Sequence, residues 1–188
     1  YRTILSYAGM LFIVGGVIHL TPLLALLGWP GEYPHSIHFM TPAATMALLG
    51  LVIWAVFRPR TPVALTVQEG GIIVFFTWVA ICLFAGWPYM RILGFNFTQA
   101  VFESVSGWSG TGLTVTDVAH APHVALLWRS ITQYVGGAGL AIIMLATIAG
   151  PIGQGVSAAE GRTDQLAPHV RDSAKIVIAI YGSYALLG

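Results

Sequence analysis

Residues Phe102 to Thr116 read FESVSGWSGTGLTVT, a run rich in Ser, Thr and Gly set between apolar segments. The chemistry these residues can do is coordination rather than bond-making. Glycines permit the positive φ angles that aim successive carbonyls in one direction. Rings of such carbonyls can take the place of a cation's hydration shell. Irregular backbone at membrane depth is tolerated only where protein buries it or where it lines a watery cavity. The stretch is therefore either a surface loop or a pore lining. A short helix over 97–108, followed by Gly110, Thr111, Gly112, Leu113 and Thr114 returning as extended backbone, favours the pore.

Covalent chemistry has little to stand on. Gly107-Trp108-Ser109-Gly110-Thr111 approaches a hydrolase nucleophile elbow, but ends in Thr where Gly is required. There is no phosphate-binding glycine loop with its Lys, the histidines are scattered, and no enzyme is expected. His35 and His38 sit three apart with Glu32 as the only nearby carboxylate, so an exposed loop is expected rather than a metal site. The single cysteine, Cys82, excludes an internal disulfide and a Cys-rich metal site. It lies in an apolar run and is expected as a buried structural thiol. A net charge of +1 without a basic patch gives nothing to neutralise phosphates, so no nucleic-acid partner is expected.

Five polar residues flank the coordinating stretch: Glu103, Ser109, Asp117, Arg129 and Gln133. An ionised side chain at the bilayer centre costs about 2.5–3.5 kcal/mol on insertion scales. Glu103 is thus either a support for the neighbouring backbone or a partly exposed acid near a helix start. Asp117 either concentrates cations at a mouth or sits in a solvated turn. Arg129 and Gln133, four apart on one helix face, either bond the loop backbone or Asp117, or Arg129 extends to the interface. Ser109 opens the stretch and is grouped with these supports. Gly136-Gly137-x-Gly139 either lets helices pack closely or makes room for a cavity or hinge.

The elements that must position these groups are membrane helices. Hydrophobic residues make up 56% of the chain and charged residues 8%, against about 25% charged in soluble domains. Crossing a hydrocarbon core of about 30 Å takes about 20 apolar residues. Two N-terminal spans are expected within 1–67, at 4–27 and 39–57, joined by a polar turn over 28–38. His19 in the first is expected as a packing histidine, and Gly15-Gly16 as a close helix contact. A repeat over 68–150 then comprises an outer helix (70–89), a pore helix (97–108), a filter (109–114) and an inner helix (124–148). Trp78, Trp87 and Tyr89 are candidate interfacial belt residues. A linker over 151–173 and the start of another repeat over 174–188 complete the expected order. Arg2, Arg58, Arg60, Arg162, Arg171 and Lys175 fall on one side, expected to be cytoplasmic, and Arg91 and Arg129 on the other. The first residue is Tyr1, without a charged leader or a small-residue cleavage site, so the first apolar run is expected as a mature span. Both ends read as cut.

FESVSGWSGTGLT, together with PHVALLWRSITQYVGGAGLAI, resembles the Trk/Ktr/HKT superfamily of potassium transporters, most nearly their microbial TrkH-type channel subunits. The resemblance runs from about Gln68 to Lys175 and less sharply over the first two spans. It implies an all-α integral membrane fold in the cell (inner) membrane, potassium uptake through a carbonyl-lined filter, and potassium held at Thr111 and Gly112. It implies no cofactor, potassium being the transported ion. It also implies a homodimer in the lipid bilayer, each chain with its own pore, and a cytoplasmic nucleotide-binding regulatory subunit. Chains of this family carry four pore repeats, whereas one is present here, so continuation of the chain, or assembly of four copies, is expected. Relatives with Ser at the position of Gly112 tend to admit sodium and those with Gly favour potassium, so a potassium preference is expected. A sodium-permeable relative, or a non-conducting membrane assembly subunit with SGTGLT as an external loop, are the alternatives.

Overall fold

Two proline-bearing breaks shape the chain. At Thr21-Pro22 the missing amide of proline ends helical bonding, and α1 (Arg2–Leu20) gives way to a 3-10 turn over Thr21–Leu27. The Thr21 hydroxyl donates to the Ile18 carbonyl at 2.6 Å and ties off the junction. At Gly86-Trp87-Pro88 the helix of the expected outer span is interrupted, giving α3 (Val67–Ala85) and a short α4 (Trp87–Ile92). Between these breaks lie a second 3-10 turn (Pro30–His35) and α2 (Ile37–Phe57). Beyond them come α5 (Phe97–Trp108) and α6 (His123–Ala149). The protein's computed structural model describes residues 1–58, 67–149, 175–176 and 179–183, all-helical and without strands among those residues. The expected linker over 151–173, together with Arg60, Arg162 and Arg171, lies outside the described residues. The start of the next repeat is described only as short helical pieces at 175–176 and 179–183.

Three stretches, Arg2–Leu27, Ile37–Phe57 and Glu69–Ile92, are long and apolar enough to cross a membrane. At 12 residues α5 reaches only about 18 Å, too short to cross the core. The 27 residues of α6 reach about 40 Å.

Helices α1 and α2 run antiparallel in backbone contact. A Cβ on Gly9 would lie 2.7 Å from the Gly50 carbonyl oxygen, and one on Gly50 would lie 2.5 Å from that of Gly9. A Cβ on Gly16 would lie 2.8 Å from the Ala43 carbonyl. In lipid, where burying apolar surface gains little, such close packing is what holds helices together. Gly50→Leu is therefore expected to lose about 1–3 kcal/mol or more through overpacking, read as a lowered detergent-phase melting temperature. Gly71→Ala, at a site with nothing within 4 Å of the new Cβ, is expected to leave it unchanged. Equal melting of the two variants would refute the packing argument.

The helices meet on Trp128 of α6, which is fully buried. Its indole lies edge-on to Phe39 of α2 at 5.9 Å and against His19 of α1 at 4.6 Å. Its Nε1–H donates to the Ala85 carbonyl at the end of α3 at 3.1 Å. A buried Trp needs such a partner for its N–H. His19 is fully buried and bonded through Nδ1 to the Gly15 carbonyl at 2.7 Å. Cys82 is 2% exposed in the same core. Tyr89, expected in an interfacial belt, is instead 1% exposed and belongs to this core, on the buried face of α4 with Pro88.

Candidate functional site

Helix α5 starts with a capping box. The Gln99 amide donates to Asn96 Oδ1 at 2.9 Å, and the Asn96 amide donates to Gln99 Oε1 at 3.1 Å. This pair satisfies two otherwise orphaned donors. The helix buries Ala100, Glu103, Ser104, Ser106, Gly107 and Trp108, spaced as one helical face. Ser104 Oγ donates to the Cys82 carbonyl at 2.6 Å, fixing α5 to α3. Gly107 presents no side chain where Thr132 packs, and Gly136 none where the Trp108 carbonyl packs. These two glycines bring α5 and α6 into backbone contact, which assigns Gly136 to packing. Gly137 faces Gly110 and Tyr181, while a Cβ on Gly139 would meet nothing within 4 Å.

The chain leaves α5 through Gly110 at φ 67° and Gly112 at φ 79°. This left-handed region is costly for residues with a Cβ. The turn is tied back to α5, since the amides of Thr111 and Gly112 donate to the Ser106 carbonyl at 3.1 and 3.4 Å. Ser106 Oγ donates to the Leu113 carbonyl at 2.6 Å. Ser109 and Thr111 join their hydroxyls at 2.6 Å. Residues 110 to 115 are exposed along this return.

Beneath them lies Glu103, 1% exposed. Its carboxylate accepts from Thr114 Oγ1 at 2.8 and 3.0 Å and from the Val115 amide at 3.0 Å. It also pairs with Arg129 Nε at 2.9 Å. Arg129 reaches on with Nη2 to donate to the Gly112 carbonyl at 2.8 Å. One carboxylate and one guanidinium therefore bind both limbs of the return. Breaking such a buried pair strands a charge, so each ion holds the other in place.

The Gly112 carbonyl, expected to face an ion path, thus accepts from Arg129, and the Leu113 carbonyl from Ser106. The physical reason is the guanidinium, whose fork satisfies a carboxylate and a carbonyl together. Among the described residues the carbonyls of Gly110 and Thr111 accept no hydrogen bond. Gln133, one turn beyond Arg129, places Nε2 3.8 Å from where a Cβ on Gly112 would stand. Asp117 does not join this group. It pairs with His120 Nδ1 at 2.8 Å and accepts from the Ala119 amide in an exposed turn.

The matching family model covers residues 35–188 and is described as TrkH, a cation transport protein. The chain belongs to the TrkH family. An uncharacterized cation transporter of Methanocaldococcus jannaschii is 26% identical over 188 residues, covering 96% of this chain and 39% of that protein. The Trk system potassium uptake protein TrkI of Halomonas elongata is 28% identical over 199 residues, covering 100% of this chain and 39% of its own. The crystal structure of the potassium transporter TrkH from Vibrio parahaemolyticus superposes with a TM-score of 0.75 at 27% identity, over 97% of this chain and 37% of that one. The chain thus spans about 39% of the length of these curated relatives. It is a membrane protein of a transporter family.

One participant at this end of the TrkH-family bundle is not evident from the sequence. Glu32, in the turn between α1 and α2, accepts from the amides of His123 and Val124 at 2.9 and 2.8 Å and from His123 Nδ1 at 2.9 Å. It caps α6, the helix that carries Arg129, where the helix dipole favours a negative charge. Trp29 stacks on the His123 ring at 4.3 Å. The only sequence signal was a lone carboxylate in a polar turn, 91 residues from its partner. Partial burial pushes the Glu32 carboxyl up, but the Val124 and His123 donors outweigh it and hold the pKa below the ordinary 4.5. A lowered carboxyl pKa contributes stability at neutral pH that is lost as pH falls through the folded value. Protection of the His123 and Val124 amides from exchange, relative to their intrinsic rates, is expected to fall below pH 4.5 in the native protein and already at neutral pH in Glu32→Ala. Exchange that ignores both changes would remove the cap from the account.

Proposed function

We propose that this chain supplies the first pore repeat of a potassium uptake protein, with α3 and α4 as outer helix, α5 as pore helix, residues 110–114 as filter strand and α6 as inner helix. The observation that carries this reading is the buried Glu103–Arg129 pair, which fixes an exposed, glycine-turned strand at the mouth of membrane-length helices. A solvated loop has no need of such support, since water would satisfy its backbone. Membership of the TrkH family supports the same conclusion, as do relatives named for potassium uptake. Potassium is cargo here, and the reading invokes no cofactor and no covalent step. Thr111 and its neighbours would contact the dehydrated ion. One strand cannot enclose an ion, so further filter strands complete the ring.

We further propose that the protein sits in the cell (inner) membrane as a homodimer joined by a cytoplasmic nucleotide-binding regulatory subunit, a reading that the family resemblance supports. The test is uptake of potassium, rubidium and sodium by cells that lack their own potassium uptake systems and express the full-length protein. Growth at low potassium with rubidium accepted and sodium refused is expected. Sodium uptake equal to potassium uptake would favour the sodium-permeable alternative. No uptake of either ion from well-expressed protein in the membrane would favour the non-conducting one.

A further inference from the structure

Resting on that reading, we propose that Arg129 is a positioning residue that withholds the Gly112 carbonyl from the ion and so weakens ion binding at this strand. The guanidinium uses two edges at once, with Nε on Glu103 at 2.9 Å and Nη2 on the Gly112 oxygen at 2.8 Å. Glu103 is in turn fixed by Thr114 Oγ1 and the Val115 amide. The arginine therefore cannot swing aside without stranding a buried carboxylate. Arg129 is largely enclosed, its side chain 14% exposed. A charged donor makes the stronger kind of hydrogen bond and occupies one of the oxygen's two lone pairs. A cation approaching that oxygen would also meet a second positive charge across one atom. The strand then offers an ion the carbonyls of Gly110 and Thr111 rather than an unbroken row. A site that binds less tightly releases its ion sooner, and conduction needs binding weak enough to leave.

Lysine carries the same charge but is a compact point donor without a fork. In Arg129→Lys the ammonium is expected to stay with Glu103 and release the Gly112 carbonyl. The experiment is potassium and rubidium flux into phosphatidylethanolamine–phosphatidylglycerol vesicles holding the full-length protein, with KM and maximal rate measured separately. Arg129→Lys is expected to lower the KM for potassium at least threefold and to lower the maximal rate. A lost structural contact would instead reduce the amount of active protein and leave KM unchanged, and that outcome overturns the proposal. Should Arg129→Lys not fold, the double variant Glu103→Gln/Arg129→Gln decides, because it buries no unpaired charge and also removes the cation from Gly112. A lowered KM there supports the proposal and an unchanged one overturns it. Wild-type vesicles without any potassium flux would contradict the functional reading itself, whereas an unchanged KM beside robust wild-type flux contradicts only the role of Arg129.

Discussion

Gly112→Ser, in the full-length protein, is expected to lower the potassium-to-sodium uptake ratio several-fold while expression and membrane insertion stay near normal. The expectation follows from where the new side chain would go. A Cβ at Gly112 would approach nothing closer than Gln133 Nε2 at 3.8 Å, an ordinary contact. Sterics alone therefore do not exclude serine. The backbone is the constraint, since φ is 79°, a region that costs a residue with a Cβ about 1–2 kcal/mol. The strand relieves that strain by turning the peptide, and the carbonyls of Thr111 and Gly112 turn with it. Thr116→Ala is the control. The Thr116 hydroxyl has no partner among the described residues, while its amide donates to Thr114 Oγ1, which a change of side chain does not touch. An unchanged ratio in Gly112→Ser at normal expression would show that this stretch does not select the ion.

The second large effect is expected at Glu103. Glu103→Ala leaves Arg129 without its carboxylate and the Val115 amide and Thr114 hydroxyl without their acceptor. Removing one member of a buried ion pair costs about 3–5 kcal/mol, enough to lose most folded protein from the membrane. Glu103→Gln keeps the shape and an acceptor oxygen, so it is expected to fold better than the alanine variant yet transport poorly. Melting of the detergent-solubilised protein, followed by size-exclusion fluorescence, separates the two. If Glu103→Ala melted like the wild type, the buried pair would not be what holds the strand.

The all-helical membrane architecture is legible in the apolar runs, because a chain with 8% charged residues has few other ways to satisfy its backbone. The family is legible in the long joint likeness of the filter stretch and the inner-helix segment. The partners of the polar residues are not. Arg129 had three physically reasonable destinations, and its choice of Glu103 and Gly112 depends on the angle at which α6 crosses α5. That angle is set by Gly107 and Gly136, whose close approach cannot be read without the partner helix. Tyr89 illustrates the same limit. An aromatic at the end of an apolar run suits an interface, and which face of α4 meets the core is settled only by the packed helices. Glu32 capping α6 across 91 residues is a tertiary contact that no local pattern encodes. The bond from Arg129 to the Gly112 carbonyl is a contact between side chain and backbone that sequence spacing leaves open.

Within residues 110–114, the carbonyls of Gly110 and Thr111 are expected to contact the transported ion. Rubidium scatters anomalously and is chemically close to potassium, so crystals of the full-length protein grown with rubidium test that claim directly. An anomalous peak is expected within coordination distance of the carbonyl oxygens of Gly110 and Thr111, lost when sodium replaces rubidium. Rubidium bound elsewhere along the bundle, with this strand bare, would contradict it.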